Sequence, residues 1–467
     1  MTRQQPGDTQ PNGTTREPKG RYAFISLGCP KNLVDSERML GLFQLDGYQL
    51  VADPEGTDFV VVNTCGFIDQ ARAESYAVID EMLQLKRAGK TRGVIVAGCL
   101  AERQKNVLLA QRPDIDVLVG VFGREQITAV ANRLIGQLAE QRAVFCPAPV
   151  RPLPDRDRLR ITPRHFAYLK ISEGCDRLCS FCAIPQMRGK HASKPLEDIL
   201  EEAQQLAGSG VRELIIVAQD TTYYGIDLYG QPSLNRLLKT LETVDVDWIR
   251  LMYLYPLHID QSLLETIAGS SRILPYIDLP LQHINDRLLR RMARRVTRAE
   301  TLTLLERLRR TIPGLTLRTT LITGFPGETP EAHGELCEFV RQQQFERLGV
   351  FPYSLEANTP SASFDDQVPA TLRQARRDEL MEIQQQIVIQ HNQALVGQTR
   401  TVLVDRPVPD EHGVWIGRTA ADAPDIDGLV FVTETPGCPL QAGAFVQCEI
   451  VASQHYDLIA VATGKPW

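Results

Sequence analysis

Short apolar strands alternating with helix-periodic stretches constrain this chain more than any other feature, because each strand–helix unit must bury both faces of a shared sheet. From Tyr22 to about Cys146 the strand-like runs are Tyr22–Leu27, Asp58–Asn63, Gly93–Ala97 and Ile115–Val121. Between the first two, Leu33, Leu40 and Phe43 keep helical spacing and Gly47 is placed to end the helix. After the second, Val78, Met82 and Leu85 recur at helical intervals and Gly89 closes. The pattern predicts a mostly parallel sheet with helices on its faces, an α/β domain over residues 21–146. A second series follows, with strands expected at Phe166–Ser172, Glu213–Ala218, Trp248–Tyr255, Tyr276–Leu281, Leu315–Ile322 and Leu348–Tyr353. Six units are too few to close an eight-unit barrel, so a partial, open (βα)6 barrel is expected over residues 164–395.

The remaining segments read differently. Residues 1–20 are polar, punctuated by Pro and Gly, and carry no apolar core of a secretory signal; they are expected to be a disordered tail of a cytoplasmic protein. Residues 147–163 hold five prolines among several arginines and read as a linker. A polar helix over about Thr371–Val396 leads to a last domain, 396–467. Its strands Thr399–Asp405, Val414–Arg418, Leu429–Thr435 and Phe445–Ala462 are split by glycines, the pattern of a small OB-like β-barrel. No apolar run approaches the roughly 20 residues that span a bilayer, so no membrane partner is expected. With 51 Lys+Arg against 57 Asp+Glu, net −6, the chain is a poor default binder of phosphate backbones.

Ten cysteines in a long chain without an export signal favour metal ligation over a disulfide framework. Cys175, Cys179 and Cys182 form C-x3-C-x2-C directly after the strand Phe166–Ser172, with Gly174 free to make a tight turn. Three thiolates this close can hold one metal centre, and three leave a four-ligand iron–sulfur cluster one ligand short. Spacing alone also admits a zinc knuckle, with His191 as a distant fourth ligand, or chance. Cys29, Cys65 and Cys99 are far apart in sequence, yet each follows an apolar strand and touches a glycine: Gly28-Cys29, Cys65-Gly66 and Gly98-Cys99. Parallel strands end on a common edge, so these three could converge; the alternative is that each is a small buried hydrophobe. Cys146, Cys337, Cys438 and Cys448 have no partner spacing and read as structural.

C-x3-C-x2-C, with Phe181 before its last cysteine, at the end of the first strand of an open βα barrel, resembles the radical S-adenosylmethionine (SAM) superfamily. The resemblance implies a 4Fe–4S cluster on Cys175, Cys179 and Cys182, with SAM on its fourth iron. One electron would then split SAM to methionine and a 5′-deoxyadenosyl radical able to attack an unactivated C–H bond. Segments after the strands on the same face, Ala218-Gln219-Asp220, Leu281-Gln282-His283, Thr323–Glu328 and Pro352-Tyr353-Ser354, fall where barrel sites are built; by resemblance, those around Gln219 and Gly324 would line the SAM pocket. Together with the three earlier cysteines and a TRAM-type terminal barrel, the whole chain from about Tyr22 is similar to the methylthiotransferase family. That resemblance implies a second 4Fe–4S cluster on Cys29, Cys65 and Cys99, presenting the sulfur, and a second SAM donating methyl.

Two branches of that family differ in substrate: tRNA adenosine, or the β-carbon of an aspartate in small-subunit ribosomal protein S-12. The run Gly28-Cys29-Pro30-Lys31-Asn32-Leu33-Val34-Asp35-Ser36-Glu37 is similar to the second branch; the tRNA enzymes carry a different tripeptide after that cysteine. Residues 396–467 carry four cationic and nine acidic side chains, net −5. A tRNA-holding module should be basic, so a basic protein partner is expected instead. One departure from the family pattern is Asn358, where glycine is usual after Pro352-Tyr353-Ser354; Asn tolerates left-handed backbone, so the turn should survive. A non-catalytic iron–sulfur or zinc adaptor on the ribosome is the reading from another class. No motif identifies the sulfur source or the electron donor.

Overall fold

The computed structural model describes residues 17–136 and 142–467, so the expected tail lies outside it apart from 17–20. The first series forms one parallel sheet in the order Gln49–Leu50, Arg21–Ser26, Phe59–Thr64, Val94–Gly98, Val117–Val119, Ala143–Val144. Successive residues of a strand point to opposite faces. Phe59 and Val61 therefore join Tyr22, Leu40 and Phe43 on one side, and Val60 and Val62 join Ile79, Met82 and Leu83 on the other. Helices Pro30–Leu45 and Asp69–Arg87 supply those partners apart from Tyr22 of the neighbouring strand, and Gly47 and Gly89 follow them in left-handed backbone, as helix stops do. The edge strands Gln49–Leu50 and Ala143–Val144 are too short to leave a periodic trace. The strand expected to reach Val121 ends at Val119, where the chain tightens into a 3-10 turn over Val121–Gln126 before helix Ile127–Ile135.

The second series forms a parallel sheet in which each strand lies beside its sequence neighbour: Phe166–Lys170, Glu213–Val217, Trp248–Leu251, Ile273–Asp278, Thr316–Thr323, Arg347–Pro352. The first and last do not pair, so the (βα)6 barrel is open. Two expected spans shift for local reasons. The fourth strand begins at Ile273 and stops at Asp278, ahead of Pro280, which has no N–H for a ladder. The third stops at Leu251, because Tyr253 adopts φ +62° and turns the chain out of extended conformation.

Helix Ala370–Ala394 leads to a closed barrel of five strands, Thr399–Pro407, Val414–Arg418, Val430–Thr433, Phe445–Gln454 and Asp457–Ala462. The run expected as one strand, Phe445–Ala462, is an antiparallel hairpin that reverses at His455, φ +52°.

The three parts share buried contacts. Val34, Phe166, Ile215, Trp248, Tyr276, Leu403 and Phe445 belong to one apolar cluster that draws on all of them. A buried ion chain sews the terminal barrel to the open sheet: Arg250–Glu213 and Glu213–Arg418, both 2.7 Å, then Arg418–Asp405 at 2.8 Å. Arg347–Asp422 at 2.5 Å and Arg318–Asp427 at 3.4 Å add two more ties. This corrects the charge argument. Asp405, Asp422 and Asp427, three of the nine acids counted for the barrel, pair with arginines and are not a free acidic face. Residues 147–163 hold no regular element, yet they are pinned by Leu159 N–H to Glu37 O and by Asp155 to Lys194. Among the described residues no helix is long and apolar enough to cross a membrane.

Candidate active site

Each of the first three cysteines sits where a strand of the first sheet gives way to a loop or helix. Cys29 precedes helix Pro30–Leu45, Cys65 follows Phe59–Thr64, and Cys99 follows Val94–Gly98. The adjoining glycines are there because the three loops nest. A Cβ on Gly28 would come within 3.0 Å of Cys65 Cβ, and one on Gly66 within 2.7 Å of the Cys99 carbonyl oxygen. A Cβ on Gly98, at φ +92°, would strike Asn63 Oδ1. Three thiols distant in sequence are thereby drawn to one sheet edge.

The second trio lies in the loop after Phe166–Lys170. Gly174, at φ +64°, lets the loop close onto the Lys190 carbonyl, which a Cβ would overlap at 2.0 Å. N–H groups point at its sulfurs: Arg177 N to Cys175 Sγ at 3.4 Å and Ile184 N to Cys182 Sγ at 3.5 Å. The Arg294 guanidinium lies 3.7 Å from Cys179 Sγ. Such donors favour the thiolate form.

All six cysteines line a single cavity of about 390 Å³, with walls from all three parts of the chain. Burial pushes the Cys99 and Cys175 thiols up to about 12, and pushes Cys182 up and Cys65 up as well. Cys29 goes the other way. Burial opposes ionisation there, but Lys31, Arg188 and the Asn32 and Lys31 N–H groups outweigh it. Cys65, Cys99, Cys175 and Cys182, which burial holds neutral, need a bound cation to ionise them. A single zinc with ~2.3 Å bonds would bring its sulfurs to within ~3.8 Å of each other. Among the described residues neither trio has all its sulfurs within 4.8 Å of one another, so neither is set around a single ion.

Arg188 is a buried cation beside the first trio. It lies 2.8 Å from Asp35 and 3.1 Å from Glu173 and acts electrostatically on Cys99 and Cys29. In the sequence only its place, six residues after Cys182 and next to Gly189, sets it apart.

Residues 21–120 match the family described as uncharacterized protein family UPF0004, 169–340 the radical SAM superfamily, and 396–462 the TRAM domain. The ribosomal protein uS12 methylthiotransferase RimO of Lachnoclostridium phytofermentans is 44% identical over 440 residues, covering 94% of this chain and 99% of the relative. That of Symbiobacterium thermophilum is 45% identical over 445 residues, covering 95% and 91%. This chain belongs to the RimO methylthiotransferase family. Among solved structures, the radical SAM methyltransferase TsrM of Kitasatospora setae, with cobalamin and a [4Fe-4S] cluster bound, has TM-score 0.54 at 14% identity, covering 85% of this chain and 80% of that one. At that identity the likeness is one of fold.

Other residues singled out from the sequence of this RimO-family chain divide by position. Gln219 and Gln282 line the cavity; Gly324 does not, and its turn packs against Arg373. His283 is fully buried, with Nδ1 accepting from the Ile284 and Asn285 N–H groups. His191 hydrogen-bonds Ser193 at 2.9 Å and lies outside the cavity, away from the place a fourth zinc ligand would take. Cys146, Cys337, Cys438 and Cys448 also lie outside it. Asn358 has φ +67°, the left-handed turn its position asks for.

Proposed function

We propose that this chain is a radical-SAM transferase that puts a methylthio group on the β-carbon of an aspartate in small-subunit ribosomal protein S-12 (uS12). The observation that carries the reading is the opening of two cysteine trios, drawn from different parts of the chain, onto one cavity. Cys175, Cys179 and Cys182 would hold one 4Fe–4S cluster and Cys29, Cys65 and Cys99 the other. When bound, the cluster and SAM supply a hydrogen-abstracting 5′-deoxyadenosyl radical, and the second cluster supplies a site for sulfur.

The chain's own residues then have definite work. N–H groups of Arg177 and Ile184, with Arg294, offset the charge of the second trio. Arg188, held by Asp35 and Glu173, does the same beside the first. Arg177 is braced by Asp220 at 2.7 Å and by the Tyr255 ring at 4.2 Å, which makes one rigid wall beside Gln219. The reading carries a cytoplasmic location, where ribosomes are.

Mass spectrometry of S-12 from a strain lacking this chain tests the substrate: S-12 should lose the mass of one methylthio group and regain it on complementation. Unchanged S-12 with a methylthio group missing from tRNA would assign the chain to the tRNA branch instead. Anaerobically reconstituted protein given SAM and dithionite should release 5′-deoxyadenosine; a non-catalytic ribosome adaptor would release none.

A further inference from the structure

We infer that Lys31 is the residue that binds the side-chain carboxylate of the substrate aspartate, and so selects an acidic side chain over a neutral one. The inference rests on the aspartate reading above and adds to it a residue for substrate choice.

Five cations line the cavity, and four are already engaged. Arg188 is paired with Asp35 and Glu173, Arg177 with Asp220, and Arg318 with Asp278 at 2.9 Å. Arg294 donates to the Pro280 carbonyl and approaches Cys179 Sγ. Lys31 differs. Among the described residues its ammonium has no hydrogen-bond acceptor and no carboxylate within ion-pair reach; beside it are the Tyr253 ring, 3.2 Å from Nζ to the ring centroid, and the Cys29 thiol, on which it acts electrostatically. Yet Lys31 is only 5% exposed. A buried ammonium that no carboxylate pairs keeps hydrogen-bond donors for an anion that enters this cavity.

The surroundings hold the ammonium in place. Tyr253 stays at φ +62° because its N–H donates to Asp278 Oδ2 at 2.9 Å and its carbonyl accepts from Thr221 N–H at 3.0 Å. Such backbone strain persists where neighbouring bonds over-determine it, and it gathers at ligand sites. Here it keeps an aromatic face against the Lys31 head while leaving all the N–H donors free. Asp278 is held by Arg318 and the Tyr253 N–H and makes no ion pair with Lys31.

Lys31 also lies two residues from Cys29, in the first turn of the helix that follows that cysteine, and both line the cavity. An aspartate β-carbon is one bond from its carboxylate, so fixing the carboxylate fixes the carbon to be functionalised. A neutral adenine would leave the ammonium unpaired, which gives discrimination through a penalty as well as a contact.

The test compares S-12 carrying its natural target aspartate with S-12 carrying asparagine there, using reconstituted enzyme. Binding is read by fluorescence anisotropy without reductant, and turnover by mass spectrometry with SAM and dithionite. Wild-type enzyme should prefer aspartate by about 30-fold or more, the scale of a desolvated charge pair. Lys31→Met should bring that preference to within about threefold, and Lys31→Arg should restore part of it. A Lys31→Met enzyme that keeps the wild-type preference overturns the inference. So does wild-type enzyme that binds both proteins equally, a result that needs no variant to fold or to load iron. If wild-type enzyme modifies neither form of S-12, the substrate reading itself fails and the inference falls with it.

Discussion

Replacing Asp35 with asparagine should destabilise the protein by about 3–5 kcal/mol, the cost of stranding buried charge. Asp35 belongs to a buried network of four acids (Asp35, Asp155, Glu173 and Glu202) and four bases (Arg124, Lys170, Arg188 and Lys194). It accepts from Lys170 Nζ at 2.5 Å and Arg188 Nη2 at 2.8 Å, and also pairs with Arg124. Removing one acid leaves one surplus positive charge where no solvent reaches. A second estimate comes from ionisation. Burial works to raise the Asp35 carboxyl, but Lys170, Arg188 and Arg124 outweigh it and hold it at about 2, against 3.8 ordinarily. That difference is worth about 2.5 kcal/mol at neutral pH. Because the folded-state value is depressed, the stabilisation is present above the unfolded value and fades as pH falls from about 4 toward 2. Urea unfolding followed by circular dichroism, for wild type and Asp35→Asn at pH 7 and pH 3, measures both points. A loss below about 1 kcal/mol at pH 7, or a gap between the proteins as wide at pH 3 as at pH 7, would refute the account of a tightly closed network.

Three further outcomes follow from other parts of the molecule. Gly66→Ala should push apart the Cys65 and Cys99 loops, with an overpacking cost of about 1–3 kcal/mol, because the added Cβ would meet the Cys99 carbonyl oxygen at 2.7 Å; iron analysis after reconstitution should find the first-domain share lost and the share of Cys175, Cys179 and Cys182 retained. Arg418→Met should leave Glu213 with Arg250 and Asp405 with His165, one buried positive charge short, and loosen the terminal barrel from the open sheet, costing about 3–5 kcal/mol; limited proteolysis around residues 394–399 should accelerate. At His333, burial works against the charged form, but hydrogen bonds to Cys337, Glu328 and Glu379 outweigh it and raise the imidazole to about 10. Its contribution to stability should be full below the ordinary histidine value near 6.5 and decline as pH rises toward 10; thermal melting of His333→Gln should therefore show a flatter fall across that window than wild type.

What could be read in advance, and what could not, follows from how local the causes are. The strand Phe59–Thr64 was visible because both its faces are buried, so nearly every position had to be apolar. Gly28, Gly66 and Gly98 were visible beside their cysteines, but their reason, three loops stacked at under 3.5 Å, is a tertiary fact. Helix Ile127–Ile135 did carry a periodic signal in Ile127, Val130 and Leu134, spaced to share one face; the adjoining 3-10 turn hid its start. The premature end of strand Trp248–Leu251 was not legible, since Tyr253 is a β-former whose left-handed backbone is imposed by Asp278, twenty-five residues away. Arg188 and Lys31 likewise look like ordinary basic residues in sequence. Only the position of acids on other elements makes one committed and the other free.

The terminal barrel shows why a summed charge is a weak guide to a partner. Its net −5 suggested a surface that repels tRNA, yet Asp405, Asp422 and Asp427 face arginines of the barrel itself or the open sheet, and Arg418 is buried among them. What stays exposed is Asp410, Glu411, Asp425 and Glu449 against Arg400, Arg406 and Lys465, close to balance. Long-range attraction from such a surface is slight and is screened within about 8 Å at physiological salt. Selectivity for an acidic side chain then has to come from inside the cavity, at contact range and out of water, where one unpaired ammonium outweighs several exposed carboxylates. Salt dependence separates the two: if the barrel's surface charge chose the substrate, the wild-type enzyme would show little preference for S-12 with aspartate over asparagine at any salt, and binding of both would weaken together as salt rises. If the cavity chooses, the preference should persist almost undiminished from low to high salt while the overall association rate shifts.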